Sequence, residues 1–168
     1  MIVVADTSPL VALVNVQHID VLPRLFGAVL IPPAVLTELV APPRPPAVRA
    51  FARQPPVWLE VRSPARVEAI PGLHPGEAEA LSLAAEVQAD LVLLDEKEGR
   101  RIASERHLRV AGTIGVLERA AAERLLDLRE AFDRLRATDF WVSPALLDAR
   151  LAAYEQGQAR AREPGLGR

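Results

Sequence analysis

Four acidic residues stand where a fold could gather them: Asp6, Glu38, Glu77 and Asp95. Asp6 closes the β-branched run at residues 2–5, and Asp95 closes the apolar run LVLL. Short apolar runs of this kind mark strands of a parallel sheet buried on both faces, and an acid at a strand's carboxyl end lies where open α/β sheets put their sites. Glu38 and Glu77 fall on predicted helices, one over 34–40 and one opening near Gly76. Glu77 shares the helical spacing of Leu81, Ala84 and Ala85 and so tops the inward face, while Glu79 points about 160° away around the axis.

Carboxylates crowded within a few ångströms cannot all stay ionised unless a cation neutralises them; otherwise at least one pKa rises. The chain has no Cys, and His18, His74 and His107 are too scattered to read as a zinc set. All-oxygen ligation then selects a hard ion, Mg²⁺ or Mn²⁺. A carboxylate-held ion of this type serves phosphoryl chemistry, where it activates water and shields the leaving oxyanion. Other constellations are absent. Ser8 has no His partner at a motif spacing, and Ser8 stands where an aspartyl-phosphate pair needs a second Asp. Gly112 and Gly115 do not make a dinucleotide or P-loop fingerprint.

The elements that must position these acids alternate. Strands are predicted at 2–5, 28–31, 57–61, LVLL and 109–111, and helices at 19–26, 34–40, 98–106, 128–136 and 144–154, besides those after Asp6 and Gly76 and one that follows Gly112 to Gly115 and runs to about Arg124. Thr7 or Ser8 can cap the first helix, with Pro9 behind it, and Thr113 caps a later one. The proline-dense 41–56 reads as a stiff connection with one short helix inside it, and Phe140, Trp141 and Val142 as a segment packing back on the core. Strands alternating with helices predict a central parallel sheet of four to five strands with helices on both faces.

A chain of 168 residues fits one domain, over 1–154, followed by a flexible polar tail at 155–168. Aromatics are only 4%, so the core must be built from Val, Leu, Ile and Ala. No apolar run approaches the roughly 20 residues of a membrane span, and the expectation is a soluble cytoplasmic protein without a membrane partner. A net charge of −2 gives no global attraction to nucleic acid, so a polyanion needs a local basic patch.

The phrasing DTS at Asp6, the helix acid Glu38, GEAEALSLA around Glu77, LVLLDEKEGRRIA around Asp95, eighteen positions after Glu77, and VAGTIGVL resembles the four-acid pattern of PIN-domain nucleases. The resemblance extends over about residues 2–126 and includes the toxin halves of VapBC-type toxin–antitoxin pairs. It implies a three-layer PIN-like fold, Mg²⁺ or Mn²⁺ bound by Asp6, Glu38, Glu77 and Asp95, and hydrolysis of single-stranded RNA. Asp6 and Asp95 would hold the principal ion, Glu77 a second ion or the attacking water, and Glu38 the outer side. Ser8 would match the hydroxyl that braces the first acid, with Thr7, Glu79 and Glu98 in support and Glu96 as a further acid beside them. Arg44, Arg49, Arg100 and Arg101 are the RNA-binding candidates near the site. A homodimer and an antitoxin that blocks the acidic groove, often with an Arg, are the implied partners. A PIN-fold binding module with little turnover is the alternative.

Overall fold

Val3–Ala5 (β1) and Leu91–Leu93 (β4) are buried at every position. Side chains on both sides of these strands are therefore screened from water, which requires a layer over each face of the sheet. The structure, a computed structural model, describes residues 1–162. β1, Val29–Ile31 (β2), Leu59–Val61 (β3), β4 and Val110–Ala111 (β5) form one parallel sheet in the order β3-β2-β1-β4-β5. With helices around it, this is the expected three-layer α/β arrangement.

The strand order fixes where a site can form. From β1 the chain winds outward through β2 and β3, then returns to lay β4 on the other side of β1. That reversal makes the carboxyl ends of β1 and β4 the switch point, where neighbouring connections diverge and leave a crevice. Ala5 is in register with Leu93, and the Asp6 amide donates to the Leu93 carbonyl at 2.9 Å, so both strand ends lie side by side.

Around the sheet lie Thr7–Asn15 (α1), Val21–Phe26 (α2), Pro33–Val40 (α3), Pro46–Arg53 (α4), Pro75–Glu86 (α5) and Lys97–Glu105 (α6). Helix α2 stops at Gly27, whose φ of 77° lies in the left-handed region that favours glycine. The proline-dense segment does carry one short helix, α4, and its Phe51 ring meets Trp58 at 6.1 Å beside the edge strand β3. Helix α5 is buried at 76–78 and 80–84, and Ala85, read as inward, is exposed. Burial at 76–78 and 80–84 is wider than one stripe because α5 packs against α3 as well as β1 and β4.

Ala80, Leu81, Leu83 and Ala84 of α5 form a core cluster with Val4, Val92, Leu94, Ile102 and Ala103. Leu81→Ala should cost about 2–5 kcal/mol, since a fully buried side chain is removed from a site walled by two strands and a helix. A urea midpoint shift with an unchanged m-value checks this.

The chain divides into two compact units, Met1–Val116 and a second from Leu117 onward. The second contains the remainder of Thr113–Ala122 (α7), Leu128–Arg136 (α8) and Pro144–Arg162 (α9). Asp127 caps α8 by accepting from the Glu130 amide at 2.9 Å, and ion pairs Arg136–Asp148 and Arg129–Glu155 join α8 to α9. Two expectations change here. Trp141 does not pack back; it is 98% exposed. Helix α9 also runs past Tyr154 to Arg162, so 155–162 is helical, while 163–168 of the expected tail lie outside the described residues. Ala, Gln and Arg favour helix there, and the Tyr154 hydroxyl bond to the Ala121 carbonyl together with the Glu155 ion pair outweighs the cost of Gly157, about 1 kcal/mol.

Candidate active site

Asp6 occupies the N-cap position of α1 yet makes no capping hydrogen bond. Its side chain is 2% exposed, and Oδ1 has no partner. Burial pushes the carboxyl up to about 7; the Thr7 and Ser8 backbone amides pull it down, and Glu77 and Glu38 raise it further by repulsion. Neither Thr7 nor Ser8 is the cap. Ser8 is half-buried, and its contribution to Asp6 comes through its amide.

Glu77 is the third residue of α5. Its Oε2 accepts the His74 amide at 3.0 Å, closing one half of a capping box, while Oε1 is buried and unpartnered. Burial raises its pKa, the His74 amide and ring lower it, and Glu96 and Glu38 raise it. The longer arm of a glutamate thus serves two ends: one oxygen fixes the helix start and the other is left for the crevice.

Glu38 and Asp95 are held differently. Glu38 Oε2 accepts the Thr7 hydroxyl and Oε1 the Gly76 amide at 2.9 Å, so α3 is tied to the starts of α1 and α5. Asp95 Oδ1 and Oδ2 accept the Thr113 amide at 2.7 Å and hydroxyl at 2.6 Å. Burial nonetheless raises the Asp95 pKa, against the opposing pull of Thr113 and Arg100. Thr113, read as a cap, is instead the clamp on Asp95. Thr113→Val should leave Oδ2 of a half-buried carboxylate unpaired, lowering stability by about 1–3 kcal/mol, with Thr113→Ser restoring most of it in thermal melts.

Three glycines make room for these acids, and the sequence reading missed all three. A Cβ on Gly76 would lie 2.6–2.8 Å from the Glu38 carboxylate, one on Gly99 at 2.9 Å from Glu77 Oε1, and one on Gly112 at 2.7 Å from Asp95 Oδ1. One signal was present: a glycine inside a helix costs about 0.5–1 kcal/mol against Ala, so Gly99 within EKEGRR asks for a reason.

The remaining candidates separate. Glu79 is half-buried and accepts the Ala34 amide at 3.0 Å, which ties α5 to α3 and so fixes Glu77 relative to Glu38. Glu98 is exposed, and both its oxygens accept from Arg101, which also pairs with Glu105. Arg44 donates to the Glu38 carbonyl at 3.3 Å. Arg49 is on α4, half-buried, with Nε buried and unpartnered. Arg100 is exposed, beside Asp95. Glu96 is exposed and electrostatically coupled to both Glu77 and Asp95.

Among the described residues, no group of three or more His, Asp or Glu side chains is gathered closely enough to hold a metal ion. The four expected ligands differ in what they have left to give. Glu38 and Asp95 already accept two hydrogen bonds each, whereas Asp6 and Glu77 each present one buried oxygen with nothing on it. Asp6 and Glu77, desolvated and mutually repelling, are the two acids whose chemistry fits a hard divalent cation.

The acids Asp6 and Asp95 thus follow neighbouring strands at the switch point of a parallel α/β sheet, where such folds place their sites. The chain belongs to the PIN-domain family: the family model DUF3368, PIN domain, matches residues 2–156. PIN domains are generally nucleases and generally use divalent metals. The chain is also similar to a solved PilT N-terminus domain protein from the hyperthermophilic archaeon Sulfolobus solfataricus P2, with 15% identity and a TM-score of 0.49 over 69% of this chain and 90% of that one. No curated protein matches the sequence. Among the described residues no helix is long and apolar enough to cross a membrane.

Proposed function

We propose that this PIN-domain protein is a Mg²⁺- or Mn²⁺-dependent endoribonuclease that hydrolyses phosphodiester bonds of single-stranded RNA. The observation that supports it most is the pair of buried oxygens without partners, Asp6 Oδ1 and Glu77 Oε1. An uncompensated buried carboxylate costs several kcal/mol, and a fold retains two that repel each other only where something neutralises them. A divalent cation held by these two acids supplies Lewis-acid charge to the phosphate and a lowered pKa to water. Glu38, pinned by Thr7 and Gly76, and Asp95, pinned by Thr113, keep the negative charge in a fixed arrangement around the scissile phosphate. Their bonds to hydroxyl and amide donors mean that they need not reorganise when substrate enters.

The proposal includes the toxin role, an inhibitory antitoxin that presents a cation to the acids, and a homodimer. Cleavage of a fluorescent single-stranded RNA with Mn²⁺, lost in EDTA and restored by excess Mn²⁺, is the expected result. RNA bound but uncut in Mn²⁺ would return the binding-module reading, and cleavage indifferent to EDTA would exclude the metal.

A further inference from the structure

We propose that Arg100 is the phosphate-binding residue of this site, contacting a non-bridging oxygen of the strand on the Asp95 side. The inference rests on the nuclease reading above and deepens it.

Of the four candidate arginines, Arg100 combines a position beside Asp95 with free donors. Arg101 is committed to Glu98 and Glu105 on the outer surface of α6, and Arg44 spends its Nε on the Glu38 carbonyl. Arg100 Nη1 donates to the Leu94 carbonyl at 3.1 Å, which anchors the guanidinium over the carboxyl end of β4, immediately before Asp95. Among the described residues its remaining N–H groups make no hydrogen bond or ion pair, and the side chain is exposed. A Cβ on Gly112 would meet Arg100 Nη1 and Asp95 Oδ1 at 2.7 Å each, so the glycine admits both groups to the same spot. Guanidinium and carboxylate share this space, the carboxylate oriented by its two bonds from Thr113 and the guanidinium acting on it through its charge.

The chemistry of the ligand follows. A planar fork held at one corner by a carbonyl presents its other edge for a bidentate acceptor, which matches a phosphodiester better than it matches a base. Crowded acids would otherwise repel the strand, and one anchored cation at their rim gives the backbone a point of approach.

The test measures binding of a short fluorescein-labelled single-stranded RNA by anisotropy across a salt series in Ca²⁺, in the unmodified protein, Arg100→Met, Arg100→Lys and Arg101→Met. One phosphate contact contributes about 0.7 to the slope of log K against log salt for single strands. Arg100→Met should lower the slope by that amount and weaken binding about tenfold. Arg100→Lys should recover the slope, and Arg101→Met should leave it unchanged. A role confined to the Leu94 carbonyl would alter the melting temperature without moving the slope. If the unmodified protein binds RNA and Arg100→Met keeps its slope, the assignment of Arg100 is overturned while the nuclease reading stands. If the unmodified protein binds no RNA, both fall together.

Discussion

Asp6→Asn should abolish Mn²⁺-dependent RNA cleavage, by at least about 10²- to 10³-fold, and at the same time make the metal-free protein more stable at pH 8. The two effects share one cause. Burial, with repulsion from Glu77 and Glu38, pushes the Asp6 carboxyl from 3.8 to about 7. Between about pH 4 and pH 7 the folded protein therefore holds a proton that the unfolded chain has released. Stability is full below the unfolded value and is lost as pH rises through the folded one, by an amount on the order of 4 kcal/mol for a shift of this size. The raised carboxyls of Glu77 and Asp95 act with the same sign. Asn has nearly the same shape and no charge, so it removes the loss together with the ligand. The metal-free melting temperature of Asp6→Asn at pH 8 should exceed that of the unmodified protein by on the order of 10 °C. A residue important only for packing would lose activity and stability together.

Gly99→Ala and Gly112→Ala should each lower cleavage by about 10²-fold or more, although neither adds more than one methyl group. On Gly99 that methyl lies 2.9 Å from both Glu77 Oε1 and Leu94 Cδ2, where one neighbour is a site oxygen and the other a fully buried core side chain. Glu77 must give way, because the core around Leu94 is closed. On Gly112 the methyl displaces Asp95 and Arg100 together. Gly157→Ala is the contrasting case, since nothing lies within 4 Å of the added carbon and Ala suits a helix better; it should be neutral or slightly stabilising. Cleavage rates and melting temperatures of the three variants check the contrast.

The sequence made the sheet legible because buried parallel strands are short, apolar and β-branched, and residues 2–5 and LVLL show this without ambiguity. It also made the acids legible, since Asp6 and Asp95 end strands that turn out to be neighbours in register. Two kinds of information were hidden. The division of labour among the acids depends on partners far along the chain, such as Thr7 on Glu38 and Thr113 on Asp95, and no local pattern announces those pairs. The glycines were hidden because what they avoid is a side chain from another element. The end of α9 and the exposure of Trp141 were misread for a related reason: composition reports the average fate of a segment, while helix-to-helix ion pairs and the course of the chain decide the particular one.

The most direct test is the rise in melting temperature on adding Mn²⁺ at pH 5 and pH 8, in the unmodified protein and in Asp6→Asn. An ion that binds only the folded state at about 100 times its dissociation constant adds roughly 2.7 kcal/mol, or about 5–10 °C for a chain of this length. The rise should reach that size at pH 8, where Asp6 is ionised, shrink at pH 5, where a proton holds its place, and vanish in the variant. No rise at pH 8, or an equal rise in Asp6→Asn, would contradict a cation site built on the buried acids.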